Sequence, residues 1–159
     1  MLSQKSLDKI DIEIAKYPSD QKQSAVMSAL AIAQKEIGWV SPQIIEFISN
    51  YLNMPAIAVQ EVATFYNMYN NSPAGKYKIA VCTNLPCALS KGEEAANYLK
   101  QKLNIEFNQT TACNTFTLKE SECMGACGDS PVMIINNEKM YSFMNKDKID
   151  TLIEELKIS

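Results

Sequence analysis

The stretch Tyr77-Lys-Ile-Ala-Val-Cys82-Thr-Asn-Leu-Pro-Cys87 decides the fold. Tyr77, Ile79 and Val81 alternate with the period of a β-strand, and that strand delivers Cys82 at its end. Cys87 follows at C-x4-C spacing, and a second pair, Cys123-Met-Gly-Ala-Cys127, stands beyond residues 88–122 at C-x3-C spacing. Soft thiolates gathered at short spacing select zinc, copper(I) or iron–sulfur clusters. The chain has no histidine, which removes Cys/His zinc fingers and histidine-ligated Rieske centres. Most four-cysteine zinc ribbons favour two C-x2-C knuckles, and the bacterial [4Fe–4S] run is C-x2-C-x2-C, so neither spacing matches. Two wider loops from separate elements suit a [2Fe–2S] rhomb with one cysteine pair on each iron. A four-thiolate zinc site and structural thiols or disulfides stay open as alternatives. Disulfides want an oxidising compartment, and the N-terminal residues 1–9 contain no apolar signal core.

Working outward from Cys87, a helix is expected through Ala95, Ala96, Leu99 and Leu103, then a strand with Phe116 and Leu118 running toward Cys123. Val132–Ile135, a turn at Asn136-Asn137, and Lys139–Tyr141 form a hairpin. Asn145 caps a last helix bearing Ile149, Leu152, Ile153 and Leu156. The order β-α-β-β-β-α is that of a small α/β layer fold.

Before the turn-rich segment Asn70-Asn-Ser-Pro-Ala-Gly75 the pattern is helical. Leu7, Ile10 and Ile14 share one face, and Tyr17-Pro18 ends the segment. Val26, Leu30, Ala33 and Ile37 repeat the period up to Gly38. Ser41-Pro42 supplies an N-cap and a first-turn proline for a helix through Ile45, Ile48 and Leu52. Pro55 opens a fourth helix, with Ala58, Val62, Phe65 and Tyr69 expected on its buried face. Trp39 is expected to plug the bundle. The fold class is therefore α+β: a helical bundle over residues 1–72 and an α/β domain over residues 76–159.

Composition narrows the function. The 159 residues are 47% hydrophobic and 21% charged, enough apolar material for a packed core, with nothing near the ~18 apolar residues of a membrane span. Net charge is −3 and every basic residue is lysine. Without arginine, bidentate phosphate and guanine recognition is missing, which argues against nucleic acid. No G-x-G-x-x-G, P-loop or Ser/His or Cys/His nucleophile pair is present, so the chain is not a complete dehydrogenase alone.

Glu61-Val-Ala-Thr-Phe-Tyr66, followed by Cys82-x4-Cys87 and then Glu122-Cys-Met-Gly-Ala-Cys127, resembles the NuoE-type subunit family of NADH–quinone oxidoreductase, from about Gln23 to Leu156. The resemblance implies a C-terminal thioredoxin-like domain, making 76–159 the [2Fe–2S] domain. It implies that Cys82, Cys87, Cys123 and Cys127 hold one [2Fe–2S] cluster. It implies further that FMN and NADH sit on a partner subunit, with which the cluster exchanges single electrons. Other subunits of the complex would be further partners. The chain would lie in the cytoplasm, peripheral on the inner face of the membrane through the complex, without inserting into it. Related subunits serve NAD-linked hydrogenases and formate dehydrogenases, and a freestanding ferredoxin of the same fold is the remaining alternative. Cys113 is a fifth thiol outside this ligand set. Pro131 stands at the strand entry where thioredoxin-like folds often carry a cis proline, against about 5–6% cis for ordinary X-Pro bonds. Leu85 and Pro86 are expected to dry and stiffen the first cysteine loop.

Overall fold

The computed structural model of the chain describes residues 2–158. The chain divides into two compact units, one ending at Pro73 and the other beginning at Ala74.

The first unit contains α1 (Gln4–Ile14), a 3-10 turn (Lys22–Ala25), α2 (Val26–Ile37), α3 (Pro42–Leu52) and α4 (Ala56–Phe65). Their ends follow from local chemistry. The Ser3 hydroxyl caps α1, accepting from the Ser6 N–H, while the Ser3 N–H and hydroxyl donate to the Glu36 carboxylate at 2.8 Å each. Gly38 ends α2 in the left-handed region at φ +93°, where a side chain would be strained. Ser41 caps α3 by accepting from the Ile44 N–H, with Pro42 in the first turn. Ile10, Leu30, Ala33, Ile48, Leu52, Val59 and Ala63 close one buried cluster.

Three expectations need correction here. On α4 the fully buried positions are Val59 and Ala63; Val62 packs against the core only partly buried, and Phe65 lies outside it. Gln60, Glu61 and Thr64 mark the polar face, but the apolar arc opposite is broad, so the period alone does not single out Val59 and Ala63. Phe65 is 81% exposed and stacks edge-to-face with the half-exposed Tyr66 at 5.0 Å between ring centroids. Tyr69 lies beyond the helix end and is buried, its hydroxyl donating to the Met27 carbonyl at 2.8 Å. Trp39 is only partly buried, and Val40 fills the core after Gly38. Ile37 is exposed, so the α2 stripe stops at Ala33.

The second unit runs β1 (Tyr77–Cys82), α5 (Leu85–Leu89), α6 (Gly92–Leu103), β2 (Phe116–Ser121), a 3-10 turn (Cys127–Asp129), β3 (Met133–Ile135), β4 (Lys139–Tyr141) and α7 (Lys146–Ile158). The sheet order is β2-β1-β3-β4. β1 and β2 are parallel, in register from Tyr77↔Phe116 to Cys82↔Ser121, and α5 and α6 form the crossover between them. β3 pairs antiparallel with both β1 and β4. Ile79, Val81, Phe116, Leu118, Met133 and Ile135 meet Ala95, Ala96 and Leu99 of α6 and Ile149, Leu152 and Ile153 of α7. Asn145 caps α7, accepting from the Lys148 N–H at 2.9 Å. Asp150 joins the two helices, accepting from the Tyr98 hydroxyl at 2.7 Å and pairing with Lys102 at 2.6 Å. The α+β class expected from the sequence is the one observed. The Ser130–Pro131 peptide is cis. The one-turn helix α5, which carries Cys87, was not expected.

Candidate functional site

Parallel register builds the site. Because Cys82 pairs with Ser121 at the ends of β1 and β2, the chain leaves both strands at the same edge, and Cys123 follows two residues later. The Cys82 N–H donates to the Val132 carbonyl at 3.2 Å, fixing the end of β1 against the entry to β3. The α5 turn then brings Cys87 back beneath the strand end. Two side-chain bridges lock the departing segments together: Thr83 Oγ1 donates to Glu120 at 2.6 Å, and Asn84 Nδ2 donates to Glu122 at 3.1 Å.

The four thiols split into a dry pair and a wet pair. Cys82 and Cys87 are buried with Val132, and Met124 and Ala126 pack on them. Cys123 is exposed and Cys127 partly so. Cys123 Sγ lies 4.0 Å from Cys127 Sγ, and the Gly125 N–H points at Cys123 Sγ from 3.4 Å. Burial pushes the Cys82 thiol up from its ordinary pKa, opposed by the Asn84 and Met124 N–H groups and reinforced by neighbouring Cys87. The Cys127 thiol is also raised, first by its hydrogen bond with Cys123, then by the charge of Cys123, with Cys87 a further contributor. The thiols of Cys82 and Cys127 are thus each raised by neighbouring cysteines, with Cys87 contributing to both. A bound metal reverses that penalty by taking the protons' place.

Among the described residues no three Cys, Asp or Glu side chains converge on one ion-sized point. The two adjacent thiol pairs are a donor set that would suit a [2Fe–2S] cluster, which Cys82, Cys87, Cys123 and Cys127 would hold. The backbone supports the same fit. Gly125, at φ +73°, and Gly128 have open space where a Cβ would stand. Gly92 is the opposite case: a Cβ there would meet the Cys87 carbonyl oxygen at 2.7 Å and the Cys82 carbonyl oxygen at 3.0 Å. The start of α6 therefore presses on the backbone of both buried cysteines. The donor set and its cradle fit a [2Fe–2S] cluster.

Of the four expected ligands, Cys82 lies with Cys87 and Cys123 with Cys127, and Cys87 also neighbours Cys127, while Cys113 lies apart on an exposed turn. There hydrogen bonding with Thr111 and then Thr115 lowers its thiol to about 7. Leu85 does not dry the site as expected, since it is 71% exposed; Val132 and Met124 do. Gly92, Thr83, Asn84 and Glu120 were missed, as was the bridge from Asn84 to Glu122. Only Gly92 carried a signal, a glycine opening a helix five residues after a ligand cysteine.

A sequence profile of the thioredoxin-like [2Fe-2S] ferredoxin family matches residues 10–157. The E subunit of the NADH-quinone oxidoreductase of Rickettsia typhi is 42% identical over 152 residues, covering 95% of this chain and 89% of that protein. NADH dehydrogenase [ubiquinone] flavoprotein 2 of Dictyostelium discoideum is 34% identical over 156 residues, covering 98% of this chain and 63% of that protein. A crystal structure of an NAD+-reducing [NiFe]-hydrogenase in the H2-reduced state superposes with a TM-score of 0.73 at 21% identity. That match covers 84% of this chain and only 22% of the hydrogenase chain, and it bears on the fold alone. A two-stranded parallel core, a crossover helix and two cysteine pairs at one sheet end, matched over nearly the whole length, place this chain in the thioredoxin-like [2Fe–2S] ferredoxin family.

Proposed function

We propose that this chain is an electron-transfer subunit of an NADH–quinone oxidoreductase, holding one [2Fe–2S] cluster on Cys82, Cys87, Cys123 and Cys127. FMN and the NADH site belong to a partner subunit, and electrons pass singly between that flavin and this chain. The carrying observation is the meeting of two cysteine pairs from two parallel strand ends. The name borne by the Rickettsia relative supports the respiratory assignment over a hydrogenase or formate dehydrogenase.

A [2Fe–2S] cluster supplies, when bound, a one-electron redox centre that side chains alone cannot provide. The chain's own residues hold and tune it. Cys82 and Cys87 anchor it on the dry side, where Val132 and Met124 exclude water. Cys123 and Cys127 form the outward pair, and the Gly125 N–H, directed at the Cys123 sulfur, favours negative charge there. Thr83 and Asn84, bonded to Glu120 and Glu122, keep the two ligand segments from drifting apart. Among the described residues no helix is long and apolar enough to cross a membrane. Attachment to the inner face of the membrane then comes through other subunits.

The test is reconstitution. The isolated chain should not oxidise NADH, whereas mixing it with the flavin-bearing subunit should give rapid bleaching of the visible cluster absorption by NADH. NADH oxidation by the isolated chain, free of flavin, would overturn the subunit assignment.

A further inference from the structure

Asn84 occupies the N-cap position of α5, yet its side chain caps nothing there. An N-cap asparagine ordinarily accepts from a first-turn N–H. This one is turned elsewhere: its Nδ2 donates to the Glu122 carboxylate at 3.1 Å, and its Oδ1 stands 3.9 Å from Cys82 Sγ, accepting from the thiol. A carboxylate only accepts, so the donor end of the amide has to face Glu122 and the oxygen has to face the sulfur. The two ends of an amide are nearly alike in shape, and here the partners decide which way it points.

The contact changes sign when Cys82 serves as a ligand. A ligating sulfur has given up its proton and carries negative charge, so the Asn84 oxygen then faces it with nothing to accept. Backbone N–H groups work in the opposite sense: those of Asn84 and Met124 are directed at Cys82 and favour negative charge on it. Hydrogen bonds to the sulfurs and nearby charge set the potential of an iron–sulfur centre. The orientation of the Asn84 amide therefore bears on how readily the site accepts an electron.

We propose that Glu122 is a positioning residue for the reduction potential: by holding the Asn84 amide with its oxygen toward Cys82, it makes the [2Fe–2S] centre harder to reduce. The inference rests on the ligand assignment proposed above. Glu122 is exposed, so water and salt screen its own charge; what reaches the sulfur is the orientation it imposes on half-buried Asn84. Glu120 offers the contrast. It too is an exposed carboxylate at the end of β2, but it is bonded to the Thr83 hydroxyl and not to Asn84.

The experiment is a redox titration of the full chain, followed by visible absorption and electron paramagnetic resonance. Wild type, Glu122→Gln, Asn84→Ala, their double variant and Glu120→Gln are compared. Glutamine at position 122 donates as well as accepts, which frees Asn84 to turn its Nδ2 toward the sulfur. At the wild-type midpoint, Glu122→Gln should raise the ratio of reduced to oxidised protein about tenfold, a rise of about 59 mV for one electron. Asn84→Ala should raise it several-fold. In the Asn84→Ala background, adding Glu122→Gln should change the ratio less than about twofold, the mark of two groups acting through one contact. Glu120→Gln alone should change it as little. Iron content should stay near wild type in Glu122→Gln and Asn84→Ala, because the Thr83–Glu120 bridge still joins the two segments. An unchanged midpoint in Glu122→Gln overturns the inference and leaves the ligand assignment standing. An equal rise in Glu120→Gln, or a full effect of Glu122→Gln without Asn84, assigns the shift to charge alone and also overturns it. Loss of iron in both Glu122→Gln and Asn84→Ala reduces the bridge to a clasp and overturns it too; if only one keeps its iron, its midpoint decides. A wild type without a [2Fe–2S] signal overturns the assignment beneath the inference.

Discussion

Gly92 touches Cys87 so closely that no side chain fits between them: a Cβ at position 92 would stand 2.7 Å from the Cys87 carbonyl oxygen and 2.9 Å from its carbonyl carbon. The obstacle is backbone, which cannot rotate aside as a flexible side chain would. Gly92→Ala is therefore expected to displace α5 or the start of α6 at a cost of about 1–3 kcal/mol. The gain in helix propensity from the added methyl, about 1 kcal/mol, is too small to offset a displaced ligand loop. Iron content and melting temperature check this together, and both should fall. A variant with full iron and a higher melting temperature would show that the contact is slack.

The ligand set predicts a clean division among the five cysteines. Alanine at Cys82, Cys87, Cys123 or Cys127 should abolish or severely reduce visible absorption, since no histidine is present to replace a lost thiolate. Cys113→Ala should leave the spectrum unchanged. In the native protein Cys113 should also be the thiol that iodoacetamide labels first, because it is exposed and its pKa lies near 7. Labelling should rise through neutral pH, and Thr111→Val should move that rise upward by removing the leading hydrogen bond. Peptide mapping after brief alkylation reads the order directly.

Lys78 makes stability depend on pH in an unusual direction. It is buried on β1, and burial, with a smaller contribution from Lys119, lowers its pKa from 10.5 to about 8. Between those values the unfolded chain holds a proton that the folded chain has released, so this residue makes stability rise with pH from about 8 to 10.5. Below pH 8 the whole cost of the buried ammonium is present. Lys78→Met should therefore stabilise the protein at pH 7, by as much as ~3 kcal/mol, with the advantage shrinking toward pH 10.5. Urea denaturation of both proteins across that range checks it; a variant less stable at pH 7 would contradict it.

The phase of α4 can be tested by truncation. Val59→Ala removes a fully buried branched side chain and should cost about 2 kcal/mol. Phe65→Ala removes a larger side chain that is mostly in solvent and should change stability by less than about 0.5 kcal/mol. The reverse ranking in thermal denaturation would restore the helix face expected from the sequence.

These tests mark where sequence and structure part company. The strands, the long helices and the two cysteine pairs were legible, because alternation, capping residues and paired cysteines are local signals: Ile79 and Val81, Ser41-Pro42, Cys82 and Cys87. What was not legible depends on through-space placement. On α4 the apolar arc opposite Gln60, Glu61 and Thr64 is broad, so only packing decides that Val59 is fully buried while Val62 sits at the margin of the core. Leu85 reads as a drying residue until α5 forms and turns it outward. Gly92 gains its meaning only when the α6 terminus meets Cys82 and Cys87, and the Thr83–Glu120 and Asn84–Glu122 bridges need the parallel register of β1 and β2.

The central claim is that four thiols from two strand ends hold one [2Fe–2S] cluster. Electron paramagnetic resonance of the dithionite-reduced chain, taken with iron and acid-labile sulfide analysis of the same sample, tests it most directly. The expected result is about two iron and two sulfide per chain and a single rhombic or axial signal of one unpaired electron. That signal should vanish on replacing any one of Cys82, Cys87, Cys123 or Cys127 by alanine and persist in Cys113→Ala. A colourless protein with one zinc per chain, or an iron signal untouched by loss of Cys127, would contradict it.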